Sequence, residues 1–385
     1  MNLKKTVVIA AAAGALTALA IPAMAETTLY GSFRLATTYD TSTAAYDNSA
    51  KEPGQHGNLD LRNQANSRFG AKFSEGKMGG QVELGLGGLS PQQPAGNVSG
   101  TGASIGSGSN TTVYTRLVYG TYKFDFGTLL VGQTYTPYWA VSDQVASDDQ
   151  GNNGFGSIYD GRQPQIRLTL SNGLYVAAIR PGTPATVYAT ANTYLPKVAV
   201  GYDGKSGDFT YGGGVAGQSY TYRSTTNSNN EDVTSVLGYV HGKYKSGPIA
   251  LGLNLGYGQN IGDMGITEGI SPTWSVARNT LDDIKTFTLL LTGGFTLSDT
   301  VKIQAGVGYV TNDGGKTTIA GVAHDWKNAD NKISAYVNAP ITIAKNFIVV
   351  PEFTYQDHLD DNNPANTDRN GQKDYIVGAK WQFDF

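Results

Sequence analysis

Beyond residue 25 apolar and polar side chains alternate with a period of two rather than 3.6, the pattern of strands with one face in each environment. In the last segment Tyr375, Val377, Ala379, Trp381, Phe383 and Phe385 share one face, while Gly378, Lys380, Gln382 and Asp384 share the other. The same split sets Val301, Ile303, Ala305, Val307 and Tyr309 against Lys302, Gln304, Gly306 and Gly308. It also sets Ile249, Leu251, Leu253, Leu255 and Tyr257 against Gly252, Asn254, Gly256 and Gly258, and Val82, Leu84 and Leu86 against Gln81, Glu83, Gly85 and Gly87. Further strands are expected to begin near Leu29, Arg62, Tyr114, Thr128, Gln165, Leu174, Lys197, Phe209, Val233, Lys285, Ile333 and Phe347. The total is about sixteen, within the range of transmembrane barrels.

Short and long connections alternate between these strands. The short ones are Glu75 to Gly80, Asp125 to Gly127, Ser171 to Gly173, Gly204 to Gly207, Ser246 to Gly247, Ser298 to Asp299 and Lys345 to Asn346. The long ones fall near 40–60, 90–110, 136–162, 181–195, 220–232, 260–283, 312–330 and 358–372. An all-β, antiparallel up-and-down transmembrane barrel is predicted, with tight turns and both termini at the periplasmic end and long loops outside. Alternation by itself also fits a soluble sandwich. Here, however, the polar faces carry Gly and hydrophilic residues instead of packed Leu and Ile. Aromatics gather near strand ends, as in Phe383 with Phe385 and Phe347 with Phe353 and Tyr355, which suits interfacial girdles. Pro351 lacks a ladder donor, and a closed barrel has no edge to hide it, so a local bulge is expected there.

The first residues change the domain reading. Lys4 and Lys5, an apolar run from Val7 to Ile21 and Ala23-Met24-Ala25 fit a cleaved export signal over 1–25, leaving 26–385 as the barrel. The apolar run is shorter than the ~20 residues a spanning helix needs, and no later stretch reaches that length. Without Lys4 and Lys5 the 28 basic groups fall to 26 against 31 acidic ones, a net of −5, which argues against a nucleic-acid partner. Cysteine is absent, so disulfides, thiolate metal sites and cysteine nucleophiles are excluded. With 50 Gly, 23 Tyr and only 15% charged residues in 385, the composition is that of strands showing lipid every second side chain.

Candidate chemistry is sparse. His56, His241, His324 and His358 lie far apart, so neither a metal site nor a catalytic triad is visible, and neither enzyme activity nor a cofactor is expected. Asp148-Asp149 with Asn152 and Asn153 could offer oxygen ligands to calcium, but their spacing fits no defined loop. Trp139, after Thr136-Pro137-Tyr138, could stack a sugar, although packing the loop root is the better fit. Ser99 to Asn110 is a Gly/Ser-rich stretch of low complexity.

Three stretches carry a family resemblance. They are Thr28-Leu29-Tyr30-Gly31; Asn66-Ser67-Arg68-Phe69-Gly70 followed by Gly79-Gly80-Gln81-Val82-Glu83; and Phe126-Gly127-Thr128 leading to Val131-Gly132-Gln133-Thr134-Tyr135-Thr136-Pro137. With the closing Tyr375 to Phe385, they make the chain similar to the Gram-negative general porins over essentially its whole mature length. The resemblance implies a sixteen-stranded homotrimer in the outer membrane, in contact with its lipid and lipopolysaccharide. It also implies a water-filled channel for passive diffusion of small hydrophilic solutes and ions. Tyr375, Trp381, Phe383 and Phe385 would form the terminal signal read by the barrel-assembly machinery.

The resemblance further implies that the third long loop, about Thr136 to Gly161, folds into the lumen and faces arginines on the wall. Its acidic groups would be Asp143, Asp148, Asp149 and Asp160. If Phe69, Ala71 and Phe73 point to lipid, then Arg62, Arg68 and Lys72 point inward; Arg34, Arg116 and Arg167 follow by the same parity. A basic wall opposite an acidic loop creates a transverse field that low-dielectric walls screen weakly. Two departures from the family pattern stand out. Gln133 occupies a position where many relatives carry arginine, and the Pro-Glu-Phe-Gly-Gly stretch of enteric members is absent, with Gly154-Phe155-Gly156 left to make the turn. The net of −5 slightly favours cations. The alternatives are a substrate- or anion-selective porin and, in another class, a non-conducting receptor or adhesin barrel.

Overall fold

In the computed structural model the described residues are 26–43, 55–88, 111–139, 155–182, 189–224, 230–266, 269, 273–275, 280–314, 316–319, 322–325, 330–361 and 372–385. Nineteen strands join one antiparallel sheet, and three pairs of them are consecutive pieces of one stave, so the barrel wall has sixteen staves. They are β1 (Glu26–Thr43), β2 (Gln55–Asn63 continued by Arg68–Glu75), β3 (Met78–Gly88) and β4 (Thr111–Phe124). Next come β5 (Gly127–Tyr135), β6 (Arg162–Leu170), β7 (Leu174–Ile179) and β8 (Ala189–Asn192 continued by Lys197–Ser206). The third quarter holds β9 (Phe209–Ser224), β10 (Asn230–Ser246), β11 (Ile249–Gln259) and β12 (Ile284–Thr296). The last holds β13 (Lys302–Gly314), β14 (Asp330–Asn338 continued by Ile341–Ala344), β15 (Phe347–Asp361) and β16 (Lys373–Asp384).

Each stave pairs with the next, and β1 closes the ring on β16 from Ser32↔Asp384 to Thr43↔Lys373. Phe385 completes the seam, accepting from the Gly31 amide at 2.9 Å and donating to its carbonyl at 3.1 Å. Closure matters because a spanning sheet in hydrocarbon has no water to satisfy an open edge, and each orphaned group would cost several kcal/mol. All seven expected short connections are tight turns, which bring the chain round with left-handed residues such as Asn346 at φ 66 and Gly247 at φ 54.

Burial follows the alternation with the inside and outside of a barrel. Val215 is 59% exposed on the outer face, whereas Ala216 beside it is 3% exposed on the inner one. The outer band of Leu61, Val131, Ile166, Val200, Leu251 and Val377 is exposed to the bilayer. Aromatic contacts rim the tight-turn end, where Tyr122 meets Phe124 edge-on, Phe124 stacks on Phe126, Phe347 lies on Phe383 at 4.4 Å and Phe385 lies between Phe33 and Phe69. Tyr375, Trp381, Phe383 and Phe385 all point outward along this seam.

The sheet departs from the simple pattern at three places. In β2 residues 64–67 leave the ladder, and the Ser67 hydroxyl takes the Arg34 amide at 3.0 Å. In β4 the register shifts so that Glu83 pairs Leu117 and Leu84 pairs Thr115, leaving Arg116 as an extra residue. Near Pro351 the irregularity lies on the neighbouring stave rather than in Pro351's own strand, which pairs β16 in register. The β14 ladder is interrupted at Ala339–Pro340 and shifts register between Thr342 and Ala344, while the Ala339 amide still donates to the Pro351 carbonyl at 3.0 Å.

Candidate functional site

A barrel of this girth offers its inner face as the working surface, and one loop decides how much of that face stays open. The third loop leaves β5 through Thr136 and Tyr138, whose ring meets Tyr239 of β10 edge-on at 5.6 Å. Its return limb starts with the Phe155 ring against His358 of β15. Gly156 then runs so close to Leu289 of β12 and Tyr309 of β13 that a Cβ would collide with their backbones, and its φ of 125 is one that side chains rarely adopt. The Ile158 amide donates to Asn254 Oδ1 of β11 at 3.2 Å, and the Ile158 side chain lies over Gly256. The limb therefore crosses the inside of the barrel from β15 to β8, and before joining β6 its Tyr159 comes beside Arg162, Tyr135 of β5 and Arg116 and Tyr114 of β4, whereas its named contacts do not extend to β16 or to β1 to β3. Gly156 supplies the tight passage expected of Gly154-Phe155-Gly156, although Gly154 lies outside the described residues.

Asp160 differs from the expectation that it faces the arginines. Its carboxylate is fully buried and takes Thr136 Oγ1 at 2.8 Å, the Tyr138 hydroxyl at 2.6 Å and Lys197 Nζ of β8 at 2.8 Å. A carboxylate sealed among three donors holds a loop in place and presents no charge to solutes. Burial beside Asp160 pushes the Tyr138 hydroxyl well above its usual range, so it remains a donor. Asp143, Asp148 and Asp149 lie outside the described residues, as do Asn152, Asn153 and the stretch from Ser99 to Asn110.

On β1 to β6 the arginines point inward but differ in surroundings. Arg34 of β1 is 8% exposed and donates to Ser32 Oγ at 3.0 Å. Arg62 of β2 lies 3.4 Å from Asp60 Oδ2, and Arg68, further along the same stave, lies 3.8 Å from Glu83 Oε2. Arg167 of β6 is half-buried, with Leu130 of β5 and Ala177 of β7 as its cross-strand partners. Arg116 is sealed completely. Its Nε donates to Glu83 Oε1 at 2.6 Å, and its other nitrogens reach the Ala65 carbonyl at 3.2 Å and the Tyr114 and Tyr135 hydroxyls. Its bulge position explains this, because the extra residue is turned toward the neighbouring stave. Gln133 caps the distortion, donating to the Thr115 and Arg116 carbonyls at 3.0 and 3.2 Å.

Glu83 is the hub that sequence reasoning did not select. Besides the two arginines it accepts the Tyr30 hydroxyl at 2.8 Å; Gln81 donates to that hydroxyl and accepts from Tyr119 at 2.7 Å. Its place on the inward face with Gln81 was visible in the alternation, but its partners depend on cross-strand register. Near the loop root Trp139 stacks on Tyr135 at 3.8 Å with Arg162 over the same Tyr135 ring, which is packing of the root. Chemically, this surface offers fixed positive charge, tyrosine hydroxyls and water.

The comparisons with known proteins agree with this geometry. A model of the Gram-negative porin family matches residues 10–285. No curated protein matches the sequence. Among solved structures, the outer-membrane channel DcaP of Acinetobacter baumannii superposes with a TM-score of 0.71 at 20% identity, covering 95% of this chain and 99% of its own. The trimer form of OmpT from Vibrio cholerae gives 0.51 at 14%, covering 93% and 99%. An anion-selective porin from Comamonas acidovorans gives 0.53 at 14%, covering 93% and 100%. These likenesses share the barrel fold. With the family match spanning most of the sequence, the chain belongs to the Gram-negative porins and is an outer-membrane channel for passive diffusion.

Proposed function

We propose that small hydrophilic solutes cross this channel between the return limb of the third loop and the basic arc formed by Arg34, Arg62, Arg68 and Arg167, with the sealed Arg116 behind it holding Glu83. The observation that carries the reading is the course of residues 155–160 along the inside of β15, β13, β12, β11 and β8. That limb lies inside the barrel and leaves the opposite arc to water. Apolar solutes are disfavoured there, since they must disrupt ordered water without compensation. Passage is down a gradient and needs no cofactor or turnover.

The narrow zone is read as preferring anions, in contrast to the expectation from the net charge. Of the inward acids on the arc, Glu83 is held by two arginines and Asp60 by Arg62, while Asp40 and Asp374 lie together toward the loop end and Asp384 at the tight-turn end. Local charge in a confined channel outweighs net charge spread over exposed loops, where salt screens it within about 8 Å. The anion-selective Comamonas porin among the similar folds accords with this reading. Three copies are taken to associate, as OmpT does in its trimer form. Residues 1–25 serve as a cleaved export signal. Lipid and lipopolysaccharide contact the outer band, and the outward Tyr375, Trp381, Phe383 and Phe385 form the terminal signal for barrel assembly.

Refolded protein in planar bilayers tests the whole reading. Current steps in threes, with a reversal potential of anion sign in a salt gradient, are expected. A cation sign would remove the arc from control of selectivity, single isolated steps would remove the trimer, and saturation with one solute would favour a substrate-selective channel.

A further inference from the structure

The half of the lumen over β7 to β11 contains a buried polar knot that diffusion does not require. Lys197 of β8, whose side chain is 1% exposed, donates at 2.8 Å to Asp160 Oδ2 in the third loop and at 2.8 Å to the Met264 carbonyl in the sixth. Its ammonium also lies 5.7 Å from the Tyr138 ring centre. The sixth loop enters the barrel through a 3-10 turn, Ile261–Met264, and Ile261, Met264 and Ile266 are all buried. These pack in one apolar cluster with Tyr138 and Ile158 of the third loop and Leu237 and Tyr239 of β10. Asp263 of the same turn accepts the Tyr220 hydroxyl at 2.5 Å, and its carbonyl accepts Gln218 Nε2 at 2.9 Å. Gly265, at φ 84, closes the turn, and a Cβ there would stand 3.9 Å from that of Asp160. Two separate loops thus converge on one cation.

We infer that Lys197 is a positioning residue that couples the sixth loop to the third, so that a displacement of the sixth loop is passed to the limb that narrows the channel. The chemistry favours this over simple filling of space. An ammonium has three donors, and here one is spent on each loop. An apolar side chain in its place would fill the volume while linking neither. A buried charge pair broken on one side destabilises the arrangement it held much more than a surface pair does. Without Lys197 the Asp160 carboxylate keeps only Thr136 and Tyr138, both in its own loop, and the Met264 carbonyl loses its wall partner.

The inference rests on the reading that the third loop narrows the path, and the experiment separates the two. Wild-type conductance and reversal potential test the path; gating of variants tests the coupling. Lys197→Met, Gly265→Val and the double variant are recorded in bilayers after circular dichroism and heat-modifiable gel mobility establish a folded barrel. Lys197→Met is expected to raise the time spent in partly closed levels at least ~10-fold, a fraction of the full effect of losing one partner of a buried pair. Gly265→Val, which strains the sixth-loop turn, is expected to do the same in the wild type and to add little in the Lys197→Met background. If Lys197→Met fails to fold, Asp160→Asn, which keeps the oxygen that accepts from Thr136 and sets an amide NH2, able to donate to the Tyr138 oxygen but not to accept from Lys197, in place of the other, carries the same expectation. A folded Lys197→Met or Asp160→Asn channel with native gating overturns the inference, as do fully independent effects in the double variant.

Discussion

Replacing Arg116 with Met separates two roles that a lumen arginine could have, because its guanidinium is sealed while Arg68, two staves away across Glu83, keeps a 29% exposed side chain. Breaking one side of a buried ion pair costs about 3–5 kcal/mol. Glu83 keeps Tyr30 at 2.8 Å and Arg68 at 3.8 Å, which offset part of that loss, whereas the Ala65 carbonyl loses its Arg116 donor. The expected net is about 3 kcal/mol, a shift of roughly 1 M in the urea midpoint at a slope near 3 kcal/mol/M. Removing the acid as well, in Arg116→Met/Glu83→Gln, should recover most of it, since replacing both partners is often nearly neutral. Reversible folding into lipid vesicles followed by tryptophan fluorescence measures the stability. The reversal potential supplies a second readout: the single variant, left with Glu83 less compensated, should shift toward cations, and the double variant should shift back. A single variant as stable as the wild type, or a double variant no better than the single, would refute the view that Arg116 and Glu83 form one buried unit.

Three further outcomes are expected. Gly156→Val should displace the third-loop limb from Leu289 and Tyr309 and change single-channel conductance while β content is kept; an unchanged conductance would place the limb outside the solute path. Phe385→Ala removes the ring packed on Phe33 and Phe69 at the closing seam, so the yield of folded barrel in the outer membrane should fall several-fold, and an undiminished yield would argue against an assembly role. Mass spectrometry of protein from the outer membrane should begin at Glu26, and an intact Met1 or a start elsewhere would contradict the export reading.

The strand count, the alternating turns and loops and the outward set from Tyr375 to Phe385 were all legible because each depends on a period of two within one strand. What that period does not carry is pairing across strands. Arg116 reads as one more inward arginine, yet a one-residue bulge in β4 turns it onto Glu83 and out of contact with water. Asp160 reads as a loop acid available to the pore, but its partner Lys197 is 37 residues away on β8, and only the folded loop brings them together. Lys197 itself marked a strand start and nothing more. Pro351 reads as the place for a bulge, yet its own strand stays in register with β16 and the interruption lies on the adjacent stave at Ala339–Pro340, where sequence position gives no hint.

The most direct test of the central claim is swelling of liposomes that contain the refolded chain in isosmotic solutions of sugars of increasing size. A water-filled diffusion channel narrowed by the third loop predicts swelling that is linear in concentration and falls smoothly with solute size until a cut-off. Folded protein that gives no swelling with any sugar, or a rate that saturates for a single solute, would contradict it.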